Sequence, residues 1–343
     1  MYIKMNDDEI FKYVQPNYSE QELRTSFANL AKSKLDGIEG KIKEDSNTIG
    51  LKHVGSNCSN HFFFRQRLYS TRNGHSTLFD FVRKVGLEEW QRRTVQGNNS
   101  NLKKRGDLSK ATPKDYESAG NATCRIPCQF KPRVAAVCVE IFKPTSVMDF
   151  SAGWGDRALG FCAKKVKYTG IDSNVELKSC YEQMSSFFDI QPQMFFQPSE
   201  TFDFSKHVYD MVFTSPPYFD LEVYRNNPAY DGYEAWVTQF LKPVVERSYE
   251  SLSSNGWFCM NVCTSELRNG YPIYESLVKL LGVETKRIKM YNQGGSKSAD
   301  EFNYEYIYCW QKGQEVKQVN RVITIEGVDS FEFKNGTLVI RLK

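Results

Sequence analysis

Histidine is nearly absent from this chain: four residues in 343. The nine cysteines, Cys58, Cys124, Cys128, Cys138, Cys162, Cys180, Cys259, Cys263 and Cys309, include no Cys-x-x-Cys pair, and no histidine stands near the i,i+4 pairs Cys124/Cys128 and Cys259/Cys263. That spacing argues against a zinc centre. An odd, scattered set of thiols also argues against a secreted disulfide scaffold and for reduced cysteines in a cytoplasmic or nuclear setting, a host cytosol included. No run of eighteen apolar residues occurs, so no membrane span is expected. The first nine residues, Met1 to Glu9, lack the apolar stretch of a secretory signal. No internal repeat is visible. What remains, 40% hydrophobic and 25% charged residues, is the balance of a soluble globular chain. Its length is enough for a full α/β core and roughly a hundred residues more.

The net charge of +4 is unevenly spread. Between Arg65 and Arg133 there are fifteen Lys or Arg and six Asp or Glu, a balance of +9, which leaves −5 for the rest of the chain. A basic segment beside an enzyme-sized core suggests a polyanionic partner, since backbone phosphates supply most non-specific affinity. A solvated, loop-rich surface is the plain alternative.

Two stretches carry chemistry. In Thr214-Ser215-Pro216-Pro217-Tyr218, an apolar strand runs into two prolines. They remove two backbone donors, fix φ near −65° and hold the preceding residues extended. The result is a stiff loop with bare carbonyls, a hydroxyl before them and an aromatic ring after them. Such a set can accept hydrogen bonds from an amino group and stack on a flat ring. The second stretch, Ser146 to Arg157, reads as strand, glycine loop and helix start, with Gly153 and Gly155 allowing close approach of a ligand. Tyr168-Thr169-Gly170-Ile171-Asp172 then reads as a second strand ending in a carboxylate suited to ribose hydroxyls. By itself the glycine loop suits NAD as well as S-adenosylmethionine.

Strand and helix alternate from position 146 to 281, and two long strands, Glu284–Asn292 and Phe302–Gln311, close the series as an antiparallel hairpin. The pattern predicts an α/β fold, a doubly wound Rossmann-like sheet. Residues 1–123 are expected to form a mostly helical and loop-rich N-terminal extension, with 97–123 a mobile loop able to order on DNA. Residues 124–313 form the core, and 314–343 a short β extension with Asn335-Gly336 as a turn.

Together these motifs resemble those of the amino-group DNA methyltransferases, which modify cytosine N4 or adenine N6. Their donor loop is typically Asp-Pro-Phe-x-Gly-x-Gly and their catalytic loop Asp/Asn/Ser-Pro-Pro-Tyr/Phe/Trp. This chain has Asp149-Phe150-Ser151-Ala152-Gly153-Trp154-Gly155, departing at Phe150 and Ser151, and Ser215-Pro216-Pro217-Tyr218. The serine loop with a preceding threonine is most similar to the cytosine-N4 branch. The resemblance spans about Cys124 to Lys312 and implies a seven-stranded methyltransferase sheet with a reversed final hairpin. It also implies S-adenosyl-L-methionine as cofactor, DNA as partner and no metal.

The resemblance further implies donor contacts from Lys131, Asp149, Ser151, Gly153, Gly155, Asp172, Ser199 and Glu200. Lys131 would pair with the donor carboxylate, Asp172 with the ribose, and Ser199 and Glu200 with the adenine side. Ser215, Pro216, Pro217 and Tyr218 would be catalytic: the Ser215 hydroxyl and Pro216 carbonyl hold the amine, and Tyr218 stacks on a base flipped from the duplex. Plain structural roles compete at each position: a helix cap for Lys131 and Asp172, a turn for Ser199, Glu200 and Ser215, core packing for Tyr218. Phe219, Asp220, Glu222 and Tyr224 line the base pocket or form a surface loop. Target recognition is expected in the basic N-terminal region.

Three other readings compete. Adenine N6 of DNA, or an amino group of RNA or protein, suits the same loop. A nucleic-acid-binding protein on a degenerate methyltransferase fold is the non-enzymatic one. A carbon-5 cytosine enzyme would need a Pro-Cys nucleophile after the fourth strand, and Pro127-Cys128 precedes the donor loop.

Overall fold

The computed structural model describes residues 5–35, 47–96, 111–226, 228–262, 271–291, 304–314, 328–334 and 337–342. The strands, in chain order, are β1 (Thr48–Gly50), β2 (Thr71–Arg72), β3 (Ser146–Asp149), β4 (Lys167–Asp172), β5 (Gln193–Phe196) and β6 (Tyr209–Thr214). There follow β7 (Glu222–Val223), β8 (Leu252–Asn261), β9 (Lys286–Tyr291), β10 (Tyr304–Gln311), β11 (Val328–Lys334) and β12 (Thr337–Leu342). Eight of them form one sheet in the order β1-β9-β10-β8-β6-β3-β4-β5. Only β10 runs antiparallel to its neighbours in this sheet. Strand order reverses at β3: β4 and β5 lie on one side, β6 and β8 on the other. In a doubly wound sheet, ligands bind beyond the carboxyl ends of the strands at such a switch point.

This is the expected doubly wound Rossmann-like fold with its reversed final strand, and it carries one strand more than the seven expected. The addition, β1, comes from the N-terminal region and pairs parallel with β9, Thr48 opposite Lys289. Three residues are too few to announce a strand by alternation. Tertiary pairing makes this one, aided by the buried Arg133 guanidinium, which donates to the carbonyls of Gly50 (3.2 Å) and Lys34 (2.8 Å).

Helices cover both faces. One cluster packs helices Pro132–Phe142, Asp156–Ala163 and Lys178–Phe188 against one side of the sheet, joined there by Leu23, Leu30, Cys58 and Phe63 from the N-terminal region. The other face is covered by residues 236–245 and by helix Ile273–Leu281. A third cluster, from Ile10 to Ile126, holds the N-terminal helices to one another.

Three local readings are corrected. Within the stretch 97–123 expected to be a loop, Pro113–Cys124 is a helix. Thr112 and Asp115 form a reciprocal capping box at its start and Pro113 occupies its first turn, a start signal the composition obscured. Residues 97–110 lie outside the described residues. The expected helix over 233–253 is three stretches: Gly232–Trp236, a π-helical Val237–Leu241 and Lys242–Glu250. Pro243 lacks the N–H that an unbroken α-helix would use there, which favours the bulge. The strand expected at 256 begins earlier, at Leu252. At the C-terminus β11 and β12 pair antiparallel; their expected turn, Asn335-Gly336, and the 293–301 loop lie outside the described residues.

Helix Asp156–Ala163 approaches helix Pro132–Phe142 closely at Gly160. A Cβ there would stand 2.4 Å from the Pro132 carbonyl oxygen and 2.7 Å from Ala135 Cβ. In an open helix Gly→Ala stabilises by about 1 kcal/mol. Here the clash is with backbone, so Gly160→Ala should instead destabilise by about 1–3 kcal/mol, the usual cost of overpacking, measured by urea unfolding.

Candidate active site

The loops after β3 and β6 meet at the switch point and border one cleft of about 390 Å³. Its walls include Lys131, Ser151, Gly153, Asp172, Ser199, Glu200 and the whole Ser215-to-Tyr218 loop. The structure therefore brings together ten of the twelve residues singled out from the sequence. The other two, Asp149 and Gly155, stand behind the cleft.

Asp149 ends β3 with its side chain fully buried. Its carboxylate accepts from Arg157 Nε (2.6 Å), Tyr168 Oη (2.7 Å), Thr214 Oγ1 (2.8 Å) and the Ser151 amide (3.1 Å). One buried charge thus ties the glycine loop, β4 and the residue before Ser215. Burial first, then the Asp149 charge, pushes the Tyr168 phenol well above its ordinary range, so it remains a donor. Gly155 has φ +75°, and a Cβ on it would lie 2.7 Å from Phe63 Cε2. Its glycine is required by packing against the N-terminal helix Ser56–Arg67 rather than by a ligand.

Gly153 is different. It has φ +61°, and the place of its Cβ is in ordinary van der Waals contact with Ser151 O (3.8 Å) and Arg157 Nη2 (3.9 Å), so the left-handed backbone rather than crowding calls for glycine there. Its amide donates to Asp172 Oδ2 (2.7 Å), and its carbonyl accepts from Tyr181 Oη (3.0 Å). Asp172 also accepts from the Asn174 amide (2.9 Å). A carboxylate offers about four lone-pair positions, so capacity for about two hydroxyl donors is left at the cleft. Burial raises the Asp172 carboxyl above its ordinary range. Lys131 caps the start of helix Pro132–Phe142, and desolvation lowers its amine. Ser199 donates to the Phe150 carbonyl and so fastens the turn after β5 to the glycine loop. Glu200 accepts from Tyr230 Oη (2.6 Å).

Across the cleft, Ser215 and Tyr218 converge on a residue the sequence reading missed. Asn261 Oδ1, at the end of β8, accepts from Ser215 Oγ (3.4 Å) and Tyr218 Oη (3.2 Å). Its Nδ2 donates to the Tyr306 carbonyl (2.9 Å). A lone asparagine closing the apolar run Trp257–Met260 was the only available signal. With its proton directed at Asn261, the Ser215 oxygen turns its lone pairs outward as an acceptor. Phe219 has φ +57° and sits among Tyr233, Trp236 and Tyr271. Glu222 pairs with Arg72 (3.6 Å), and burial raises its carboxyl. Tyr224 packs against Trp154, ring centroids 5.4 Å apart. β2 and β7 pair antiparallel, and the Asn73 amide donates to the Leu221 carbonyl (2.8 Å), so the N-terminal region holds the segment after the Pro-Pro loop.

The basic segment is less free than its composition suggests. Arg65, Arg83, Arg92, Arg93 and Lys114 each pair with a neighbouring carboxylate. Exposed pairs are worth about 0–1 kcal/mol, so a phosphate can replace them at little cost. Among the described residues, no group of three His, Cys, Asp or Glu is placed to hold a metal ion.

Neither a protein-family model nor a curated protein matches the sequence. Among solved structures, the chain is similar to an S-adenosylmethionine-dependent methyltransferase from Clostridium acetobutylicum, at 13% identity over 59% of this chain and 99% of that one, TM-score 0.40. It is similar to the N-methyltransferase NodS from Bradyrhizobium japonicum, at 11% identity over 51% and 90%, TM-score 0.36. A third is a T. thermophilus 16S rRNA methyltransferase, RsmC, in complex with AdoMet and guanosine, at 13% identity over 54% and 44%, TM-score 0.35. Strand order and the residues at the switch point, rather than these partial likenesses, define the site.

Two predictions follow from the buried carboxylates. Asp149→Ala strands the Arg157 guanidinium in the interior and should destabilise by about 3–5 kcal/mol in urea unfolding. Asp156, at the first turn of its helix, accepts from Gln129 Nε2 (2.8 Å) and from Ser59. Burial raises its carboxyl to about 6. The native state therefore holds this proton where the unfolded chain, near 4, has released it, and the group's contribution to stability falls as pH rises from about 4 to about 6. The stability of Asp156→Asn relative to the parent should rise over that window and level off above it. A difference that is flat with pH would refute the assignment.

Proposed function

We propose that the protein transfers a methyl group from S-adenosyl-L-methionine to the exocyclic amino group of a base in DNA, with cytosine N4 the first expectation. The observation that carries this reading is the shared cleft. The glycine loop and Asp172 line one part of it, and Ser215 to Tyr218 line another, all at the point where strand order reverses.

The residues fit such a donor. Gly153 lines the cleft, Asp172 has spare acceptor capacity for ribose hydroxyls, and Lys131 can meet a carboxylate. The donor supplies an electrophilic methyl on a sulfonium and leaves as a thioether. The rest is positioning. An exocyclic amine is a weak nucleophile because its lone pair is delocalised into the ring. Ser215 Oγ, its proton given to Asn261, and the Pro216 carbonyl accept the two N–H bonds and bend the nitrogen towards a tetrahedral shape. Tyr218, its phenol tethered to Asn261, offers its ring face to the base. The nitrogen forms its bond to the methyl carbon and then loses a proton to water, so no strong base is needed. Alignment of this kind supplies much of the barrier reduction.

The test incubates the protein with labelled S-adenosylmethionine and duplex DNA, single-stranded DNA or RNA, followed by digestion and mass identification of the modified nucleoside. N4-methylcytosine is the expected product. N6-methyladenine would keep the mechanism and change the base. Label in RNA or protein alone would move the substrate class. Absence of donor binding would leave the non-enzymatic reading.

Ser215→Ala and Asn261→Ala should each lower turnover by at least about a hundredfold, as loss of a preorganised polar contact does. Donor affinity, measured by calorimetry, should be unchanged. Tyr218→Phe, which keeps the ring, should lose less than Tyr218→Ala. Asp172→Ala should weaken donor binding instead, and an unaltered affinity would remove it from the donor site.

A further inference from the structure

A second cavity of about 510 Å³ lies on the N-terminal side of the cleft, and the two share a wall made by His53, Cys128, Gln129 and Lys131. Its lining is rich in donors: His53, Arg67, Lys114, Lys131 and Asn121 face a single acid, Glu117. Glu117 is already engaged by Lys114 at 2.7 Å.

Arg67 is the anomaly. Its side chain is only 9% exposed, and its closest carboxylate, Glu117, stands at 3.7 Å, beyond hydrogen-bond reach. Its Nε has no hydrogen-bond partner among the described residues. The guanidinium lies over the Phe64 ring, 4.9 Å from its centroid, which fixes the plane of the fork. A buried cation without hydrogen-bonding partners is costly. A fixed, planar fork suits the tetrahedral oxygens of phosphate. The surroundings agree: desolvation first, then the charges of Lys131 and Lys114, hold the His53 imidazole below its ordinary range.

We propose that this cavity is a phosphate-binding subsite, built by Arg67, Lys114 and His53, which receives a backbone phosphate next to the nucleotide that enters the reactive cleft. The subsite itself stands on the cavity and on the buried Arg67 fork, whose Nε has no hydrogen-bond partner among the described residues and whose Nη2 stands 3.7 Å from Glu117. Its assignment to a polynucleotide backbone, rather than to the phosphate of a free nucleotide, rests on the function proposed above. A phosphate held here fixes the strand on one side of the target base while the Pro-Pro loop holds the base itself. The N-terminal region thereby acts on positioning without reading sequence, as phosphate contacts generally do.

The test uses the full chain and two probes. Inorganic phosphate and a 5′-mononucleotide are titrated while the imidazole signals of the four histidines are followed by NMR. A short oligonucleotide, intact or with one phosphate at a time made a neutral methylphosphonate, is then bound at several salt concentrations. In the parent protein the His53 signals should move with phosphate. Lys114→Gln, whose side chain is 76% exposed and safe to fold, should weaken binding by roughly tenfold, the effect of one lost charged hydrogen bond. The same change should lower the salt slope of oligonucleotide binding by about 1. Arg67→Gln should do likewise, and donor affinity should stay constant in both. One methylphosphonate position should reproduce the Lys114→Gln loss.

Motionless His53 signals with every phosphate probe overturn the subsite. So do unchanged affinity and slope in Lys114→Gln while the parent binds and methylates the oligonucleotide, and in that case the methyltransferase reading stands. If free phosphate and mononucleotide move His53 but the oligonucleotide neither binds nor is methylated, the subsite stands and the polynucleotide reading falls.

Discussion

The site depends on one buried carboxylate. Asp149 accepts hydrogen bonds from a guanidinium, a phenol, a hydroxyl and an amide, and these belong to the helix after the glycine loop, to β4, to β6 and to the glycine loop itself. In the dry interior a lone charge would be intolerable, so the four donors must be present together. That condition fixes the glycine loop relative to the Pro-Pro loop to within hydrogen-bond tolerance. Two segments 65 residues apart in sequence are held at one cleft by the hydrogen bond that Thr214 donates to Asp149. The conspicuous motif residues, Gly153 and Ser215, are thus positioned by neighbours that carry no motif signal of their own.

The second constraint is the way the N-terminal region is built into the core. Phe63 fills the space that Gly155 leaves, Ser59 reaches Asp156, Arg133 reaches back to Gly50, and β2 pairs with β7 beyond the Pro-Pro loop. Length and charge suggested an appended binding region. Leu51, His53, Ser70 and Arg72, on either side of its helix Ser56–Arg67, also line the cleft. The N-terminal region and the segment after the Pro-Pro loop are in mechanical contact through β2 and Leu221.

Much of this was legible in the sequence because the signals were local. The period-2 and period-3.6 alternation announced the sheet, and glycine and proline announced the two loops where backbone chemistry is special. What escaped was non-local. β1 has three residues and exists only through pairing with β9. Asn261 matters through its meeting with Ser215 and Tyr218, 46 and 43 positions away. Gly155 carried a motif signal, yet its immediate neighbour is Phe63, a side chain from the distant helix Ser56–Arg67. Asp149 was grouped with donor-binding residues because a carboxylate at a strand end can face either way, and nothing in the neighbouring letters reveals four inward donors. The helix Pro113–Cys124 was hidden by a polar composition that outweighed a four-residue capping signal.

The outermost strand of the sheet has a temporal consequence. β1 is made early and its partner β9 late: Thr48 must wait for Lys289. At about 5–20 residues per second on a ribosome, that gap lasts roughly ten to fifty seconds. Throughout it, Ile49 and its strand have no sheet edge to join. Such exposure is the circumstance in which holding chaperones engage nascent chains, and closing so long a loop is slow in its own right. A chain stalled or cut before β9 would keep every residue of the glycine loop and the Pro-Pro loop and still lack the edge that secures the cleft's N-terminal wall.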